Sequence, residues 1–424
     1  MAIALGTGLG IGSGGMPGLE AYLSTRGLAG SVAGADFRRR LYWLPSTADP
    51  TKARPASETE FFAQFTAAST ATRPYFDAGG VLRADLAANQ PRFSHIGGTR
   101  RLVLENALTN KLLCRKHNPV DLAQLGTGGD AAAVLSLVDD RTALSAAGLS
   151  AVCSNGMVYK VNNTAGTTNA IVAFNGSVGN TNVHCVQAWM RGSGTVDLRL
   201  SDASVSVSAS LTPNWVQYQS GGGTPTATNM TMRVVIPAGA ILYLILPGLY
   251  EQPFAPHAPV IGDTAAVASR AVESFRLPIG LEAAMQGSAG TMLVRMAARR
   301  AGTSSSDVPV VLGGPAHPLV GLRSATGVRT MLDGASVLDA VPGADILANG
   351  LGAVVAWSAD GAASCANGGA VVSSATSILP GIRSTGWLGR AGAGGYAYGD
   401  GLYDLLALFP ARLTNGRMQA LSAP

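Results

Sequence analysis

The stretch Val183 to Leu200, VHCVQAWMRGSGTVDLRL, decides how the rest of the chain is read. It holds two runs rich in Val, Thr, Leu and aromatic side chains, Val183 to Met190 and Thr195 to Leu200, parted by a Gly and Ser turn. Branched and aromatic residues suit a pleated, half-buried surface, and small residues suit the turn between two such runs. The same texture recurs at Met157 to Val161, Asn169 to Phe174, Val205 to Ser210, Trp215 to Tyr218, Met230 to Ile236 and Ile241 to Leu246. About eight short strands in ~100 residues, separated by Gly, Asn, Ser and Pro, have the spacing of a sandwich and favour a jelly-roll. Within "PNWVQY" the alternation sends Trp215 and Gln217 to one face and Val216 to the other, and Trp215 is expected to be buried.

Gln252 to Ile261 carries Pro253, Pro256 and Pro259, which leaves few backbone donors and reads as an extended strap closing the jelly-roll. A second strand set follows at Thr291 to Ala297, Val308 to Leu312, Val320 to Arg323, Arg329 to Leu332, Ala353 to Trp357, Ala362 to Asn367, Trp387 to Gly389 and Leu402 to Phe409. Pro410 ends the last strand, and Thr414 is placed to cap a short helix. Upstream, Ser57 with Glu60 three residues on marks the start of another short helix. Phe37 to Leu44 mixes three arginines with Tyr42 and Trp43, either a grip for a neighbouring surface or an ordinary amphipathic segment. The expected fold is therefore mainly β: an irregular N-terminal docking region over 1–120, a jelly-roll over 121–262 and a second antiparallel β-sandwich over 263–424.

The chain has 424 residues, enough for two or three domains with their own cores. Charged residues make up 13% against 47% hydrophobic, with 54 glycines, so polarity rests on Ser, Thr, Asn, Gln and Gly, as suits short strands, turns and surfaces covered in an assembly. The net charge of +5 comes from scattered arginines rather than from a basic face interleaved with aromatics, which argues against nucleic acid. Gly10, Gly12 and Gly15 match a dinucleotide fingerprint in letters, but Pro17 and Gly18 follow at once and no α/β alternation continues, so no cofactor is expected. Cys114, Cys153, Cys185 and Cys365 are too far apart for a metal motif and read as free thiols, and the five histidines form no ligand pattern. The first residues lack the basic start of a secretory signal, so synthesis in a cytoplasm without export is expected. Val234 to Leu249 is cut by Pro237 and Pro247 and falls short of the ~20 residues of a membrane helix, so no membrane insertion is expected. No strand carries paired acidic residues of the kind glycoside hydrolysis uses, and no G-x-S-x-G elbow lies between strand and helix. The expectation is a protein that is not an enzyme.

One segment is specific enough to suggest a family. Ala87 to Leu113, AANQPRFSHIGGTRRLVLENALTNKLL, with Tyr75, Phe76, Asp77, Gly80, Val81 and Leu82 before it, resembles the "PRF…GLLiEeartNLL" pattern of structural proteins from tailed bacteriophages, prophages and gene transfer agents. The matching letters include Asn89, Pro91, Arg92, Phe93, His95, Leu104, Glu105, Thr109 and Asn110. Ser94 stands where that pattern has Asp, Arg101 where it has Gly, and Lys111 interrupts its final Asn-Leu-Leu. The segments "VQAWMRGSGTVDLRL" and "LTPNWVQYQ" resemble carbohydrate-binding-module jelly-rolls, in which the Trp of the second is structural, as is expected of Trp215 and Trp189. "GTMLVRMAAR", "GAVVAWSADGAASCANGG" and "GLYDLLALFPARLTNGRMQAL" resemble laminin-G and concanavalin-A-like sandwiches.

These resemblances imply a virion structural protein, a fibre, head spike or other surface appendage that binds host-surface polysaccharide during adsorption. They further imply other virion proteins as partners and a homo-oligomer, with a trimer suggested by phage fibres. A tailspike-type polysaccharide-degrading enzyme and a cellular glycan-binding protein are the alternatives. Tyr396 and Tyr398, at period two with Asp400 close by, are candidates for a sugar-stacking face, against the competing reading of core aromatics.

Overall fold

The computed structural model describes residues 17–68, 73–276, 288–298, 310–313, 318–332, 336–375, 387–389 and 400–424. The chain forms two compact units, Ala67–Phe275 with Tyr398–Leu402, and Met1–Thr66 with Arg276–Ala397 and Tyr403–Pro424. Both are built of antiparallel strands, in keeping with the mainly β reading.

The first unit holds a ten-stranded jelly-roll. Its strands are β1 (Leu125–Gly129), β2 (Val134–Asp139), β3 (Met157–Asn162), β4 (Ala170–Phe174), β5 (Cys185–Ser193), β6 (Thr195–Leu200), β7 (Ser206–Ser210), β8 (Val216–Gln219), β9 (Met232–Ile236) and β10 (Ile241–Tyr250). One sheet has the order β1-β4-β9-β6-β7 and the other β2-β3-β10-β5-β8. Alternation sets the core between them: Val172, Phe174, Leu198, Val234 and Ile236 from one sheet meet Tyr159, Val161, Val186, Met190 and Leu242 from the other. The eight strands read from sequence are all present. Two edge strands, β1 and β2, were not read, and a single helix, α1 (Arg141–Ala146), follows β2.

In the second unit the large sheet runs Val372–Ser374, Gly361–Ala366, Leu351–Ser358, Gly290–Ala298, Gly401–Phe409, Ala33–Asp36, Leu41–Pro45 and Ala53–Ala56. One face is covered by the helices Pro17–Thr25 and Asn415–Ser422, whose Leu19, Leu23, Met418 and Leu421 pack with Trp43, Val354 and Phe409. A second sheet, Ser336–Ala340, Gly327–Leu332, Pro318–Ser324, Val310–Gly313 and Trp387–Leu388, meets the large one where Thr330 and Ser364 hydroxyls lie 2.8 Å apart. Both expected caps are made: Thr414 Oγ1 accepts from Arg417 N at 3.4 Å and Ser57 Oγ from Glu60 N at 3.0 Å.

This division differs from the expected one. Residues from Pro17 to Thr66 are not a separate arm: Ala33–Asp36 pairs along its length with Leu405 to Leu408, adding three N-terminal strands to a sheet of C-terminal ones. Nor is Phe37 to Leu44 a surface grip, because Phe37 and Trp43 are fully buried and Trp43 Nε1 donates to Ser31 Oγ at 3.1 Å. Gly34 shows how tightly the added strand is seated, since a Cβ there would lie 2.2 Å from Leu406 O and 2.4 Å from the Trp43 ring. Residues 263–275, expected in the C-terminal domain, belong to the jelly-roll unit.

Candidate functional site

The residues that carry the sequence pattern converge on a buried ion network. Arg92 is fully buried. Its Nε donates to Glu273 Oε1 at 2.9 Å, its Nη1 to Pro74 O at 3.0 Å and its Nη2 to Glu105 Oε2 at 2.5 Å and to Glu273 Oε2. Arg73 reaches Glu273 at 3.0 Å and the carbonyls of Ala87 and Gln90 at 2.8 Å, and Arg270 lies 2.9 Å from Glu105. Glu105 Oε1 also accepts from His257 N at 2.7 Å, which ties the proline strap to the pattern. Three guanidiniums thus surround two carboxylates out of water, an arrangement that holds because each carboxylate is met by several donors. The two carboxylates outweigh the burial that disfavours the cation and push the Arg92 pKa upward.

The remaining pattern residues also shape backbone. Asn110 uses both ends of its amide: Nδ2 donates to Pro247 O at 2.9 Å and Val260 O at 3.4 Å, while Oδ1 accepts from Leu249 N at 3.2 Å and Leu112 N at 3.3 Å. Tyr75 and Phe76 pair with Arg83 and Leu82 in a hairpin whose turn is closed by Asp77 Oδ1, which accepts from Gly79 N and Val81 N at 2.9 Å. Asn89 takes a left-handed φ of 60° before Pro91. Arg100 lies over the Phe93 ring at 3.4 Å, and Leu104 is fully buried. Ser94, in place of the pattern's Asp, accepts from Phe76 N at 2.9 Å and lies 2.7 Å from His257 Nε2. That Ser–His pair is no exposed nucleophile, because Ser94 is fully buried. The pattern is therefore a clasp. Arg270 and Glu273, its other half, lack any local signal, since Glu273 lies 181 residues from Arg92 and 168 from Glu105 in the chain.

Tyr396 and Tyr398 lie outside the described residues. Asp400 is 3% exposed and so offers no surface carboxylate.

An open polar row occurs instead on the outward face of the β2-β3-β10-β5-β8 sheet. Register places Ser136 beside Lys160, Lys160 beside Tyr243 and Tyr243 beside Arg191. Lys160 Nζ lies 5.3 Å and Arg191 Cζ 4.0 Å from the Tyr243 ring centroid, both within cation–π range. Asp140 holds the end of the row: Arg191 Nε donates to Oδ2 at 2.7 Å and Nη2 to Oδ1, while Trp215 Nε1 donates to Oδ2 at 3.0 Å. Asp140 stands at the N-cap of α1 but makes no side-chain cap bond, its carboxylate being turned to Arg191 and Trp215. The neighbouring row is closed, because α1 and the Phe76–Leu82 hairpin cover Val138, Val158, Ile245 and Trp189 with Leu144 and Leu82. The result is a step: a covered apolar shelf with Trp215 buried in it, and below it a partly exposed line of ammonium, phenol and guanidinium.

No family model matches the chain, and no curated protein matches it. Solved structures that it is similar to include the Ruminococcus gnavus IT-sialidase CBM40, at 17% identity, covering 34% of this chain and 88% of that one with a TM-score of 0.26. They also include the NanB sialidase from Streptococcus pneumoniae, at 15% identity, covering 32% of this chain and 25% of that one with a TM-score of 0.24. A Trypanosoma rangeli sialidase is similar at 10% identity, covering 80% of this chain and 63% of that one with a TM-score of 0.27. Likeness of this strength bears on neither ligand nor activity.

Chemically, the row offers donors to a ligand rich in oxygen. The Tyr243 hydroxyl and Lys160 ammonium make no hydrogen bond among the described residues, whereas Arg191 is already held by Asp140. Among the described residues no three His, Cys, Asp or Glu side chains gather as a metal site. Sequence reading missed the row because Asp140, Lys160, Arg191 and Tyr243 sit on four different segments. Strand register alone brings them together.

Proposed function

We propose that this protein is a non-catalytic glycan-binding component of a tailed-phage-type particle, a surface fibre or spike, and that its jelly-roll binds polysaccharide along the Lys160, Tyr243 and Arg191 row. The observation that carries the glycan reading is that row: donors left open beside a ring, on an outward sheet face that a helix walls off on one side. Sugars are bound by such combinations of directed donors and a ring edge or face. The phage setting rests on the sequence pattern from Tyr75 to Leu113. The non-catalytic reading is supported by the row's carboxylate: glycosidic cleavage calls for two facing carboxyl groups, and Asp140 is committed to Arg191 and Trp215.

Affinity electrophoresis against a panel of bacterial envelope polysaccharides tests the binding. At least one should retard the wild-type chain, and Tyr243→Ala and Lys160→Ala should each weaken that retardation about tenfold, the factor that 1.4 kcal/mol represents. Retardation unchanged in both variants would place the ligand elsewhere. Detection of the chain by antibody on purified particles tests the setting independently.

A further inference from the structure

The opposite face of the jelly-roll carries a second feature, formed by the β1-β4-β9-β6-β7 sheet. Its inward side chains fill the core, and its outward ones alternate with them. Register sets Arg199 of β6 directly opposite Arg233 of β9. Like charges directly across two strands repel, so this pairing works against the sheet it sits in. Asp197, two residues before Arg199 on the same face, lies 3.3 Å from Arg199 Nη1 and so answers one of the two charges. Arg233 makes no hydrogen bond or ion pair among the described residues, and the Nε atoms of both arginines are buried without a partner. On the other side of Arg199 the register places Ser206, an exposed residue of the serine-bearing strand β7.

We propose that Arg199 and Arg233, flanked by Ser206, form an anion-binding site for a carboxylate or sulfate group. An oxoanion seated between the guanidiniums turns their repulsion into two attractions and satisfies donors that are otherwise buried and unpaired. Guanidinium forks suit planar or tetrahedral oxyanions because they present paired N–H groups. The site lies on the other sheet from the Tyr243 row and stands whether or not that row binds glycan. Its ligand is a sugar acid or a free oxoanion, chemically alike at the contact.

Thermal melting of the full chain at constant ionic strength tests it, with millimolar sodium sulfate or sodium glucuronate exchanged for chloride and glucose as the neutral control. Ligand that binds the folded state alone raises the midpoint saturably, and at these concentrations the general exclusion effect of sulfate is small. The wild-type chain should show a saturable rise with at least one anion and none with glucose. Arg233→Gln should abolish the rise, and Asp197→Asn, which removes the competing carboxylate, should shift the half-saturating concentration downward. A response to glucuronate alone assigns a sugar acid, and a response to sulfate alone an oxoanion. The proposal is overturned if neither anion acts saturably on the wild type, if Arg233→Gln keeps the full response, or if Asp197→Asn weakens it.

Discussion

Trp215 shows what a single side chain reveals about where a core lies. It is 6% exposed, as its alternation with Val216 implies, yet it does not point between the two sheets. It packs outward with Leu144, Leu149 and Ile245 beneath α1, and its Nε1 finds Asp140. Trp215→Ala should therefore cost about 3 to 5 kcal/mol, as large aromatic truncations do. Chemical denaturation should show the full loss, with binding on the neighbouring row reduced as well because Asp140 loses a partner that fixes it. A variant with wild-type stability would mean that α1 does not seal this shelf. Trp215 was legible because burial follows from a local alternation of large and polar residues. Arg92 and Glu105 were legible as letters of a pattern but not as charges in the core: their counterparts Arg270 and Glu273 come from beyond the jelly-roll, and nothing local marks an ion pair of such separation.

At the level of strands and loops, the missed pieces share a physical cause. β1, LGTGG, carries three glycines and is exposed over most of its length, so its place in the sheet comes from backbone pairing with β4 and leaves no side-chain period to read. Lys111 illustrates the same point for a loop. In the sequence it merely interrupts the pattern, whereas in the fold its Nζ donates to Glu251 at 2.7 Å and to Val178 O, and Asn180 and Asn182 add amide bonds to the same carboxylate at 2.9 and 2.6 Å. Burial alone would raise the Glu251 carboxyl, but the hydrogen bonds from Lys111, Asn182 and Asn180 outweigh it and bring the pKa down to about 2. A carboxyl lowered in the folded state favours folding above its unfolded value of about 4.3, and that contribution disappears as pH falls toward 2. The side chain is 35% exposed, so the gain is screened and should stay below about 1 kcal/mol. Glu251→Gln should thus unfold at lower urea than the wild type at pH ~7, and the two midpoints should converge near pH ~2. Midpoints that differ equally at both pH values would show that the carboxylate's charge is not what holds the 178–184 loop.

At the scale of the whole chain, the order of segments in sequence is not their order in the fold, and this governs which fragments are stable. A chain beginning at residue 121 looks complete on paper, since it keeps every strand of the jelly-roll and the C-terminal strands of the large sheet. It would nonetheless leave Glu273 and Arg270 without Arg92, Glu105 and Arg73, and removing one side of a buried ion pair costs about 3 to 5 kcal/mol. It would also lack Asn110, which bridges Pro247, Leu249 and Val260. In the other unit it would strip Ala33–Asp36 from Gly401–Phe409 and remove Leu19, Leu23 and Trp43 from the face they share with Phe409 and Met418. Losses of this size match or exceed the net stability of ordinary domains, about 5 to 15 kcal/mol. The 121–424 fragment should therefore lack a cooperative thermal transition and be cut rapidly by trypsin, while a 17–424 chain melts cooperatively and resists. A fragment from 121 that melts like the longer chain would mean that the clasp and the added strands decorate two cores already complete without them.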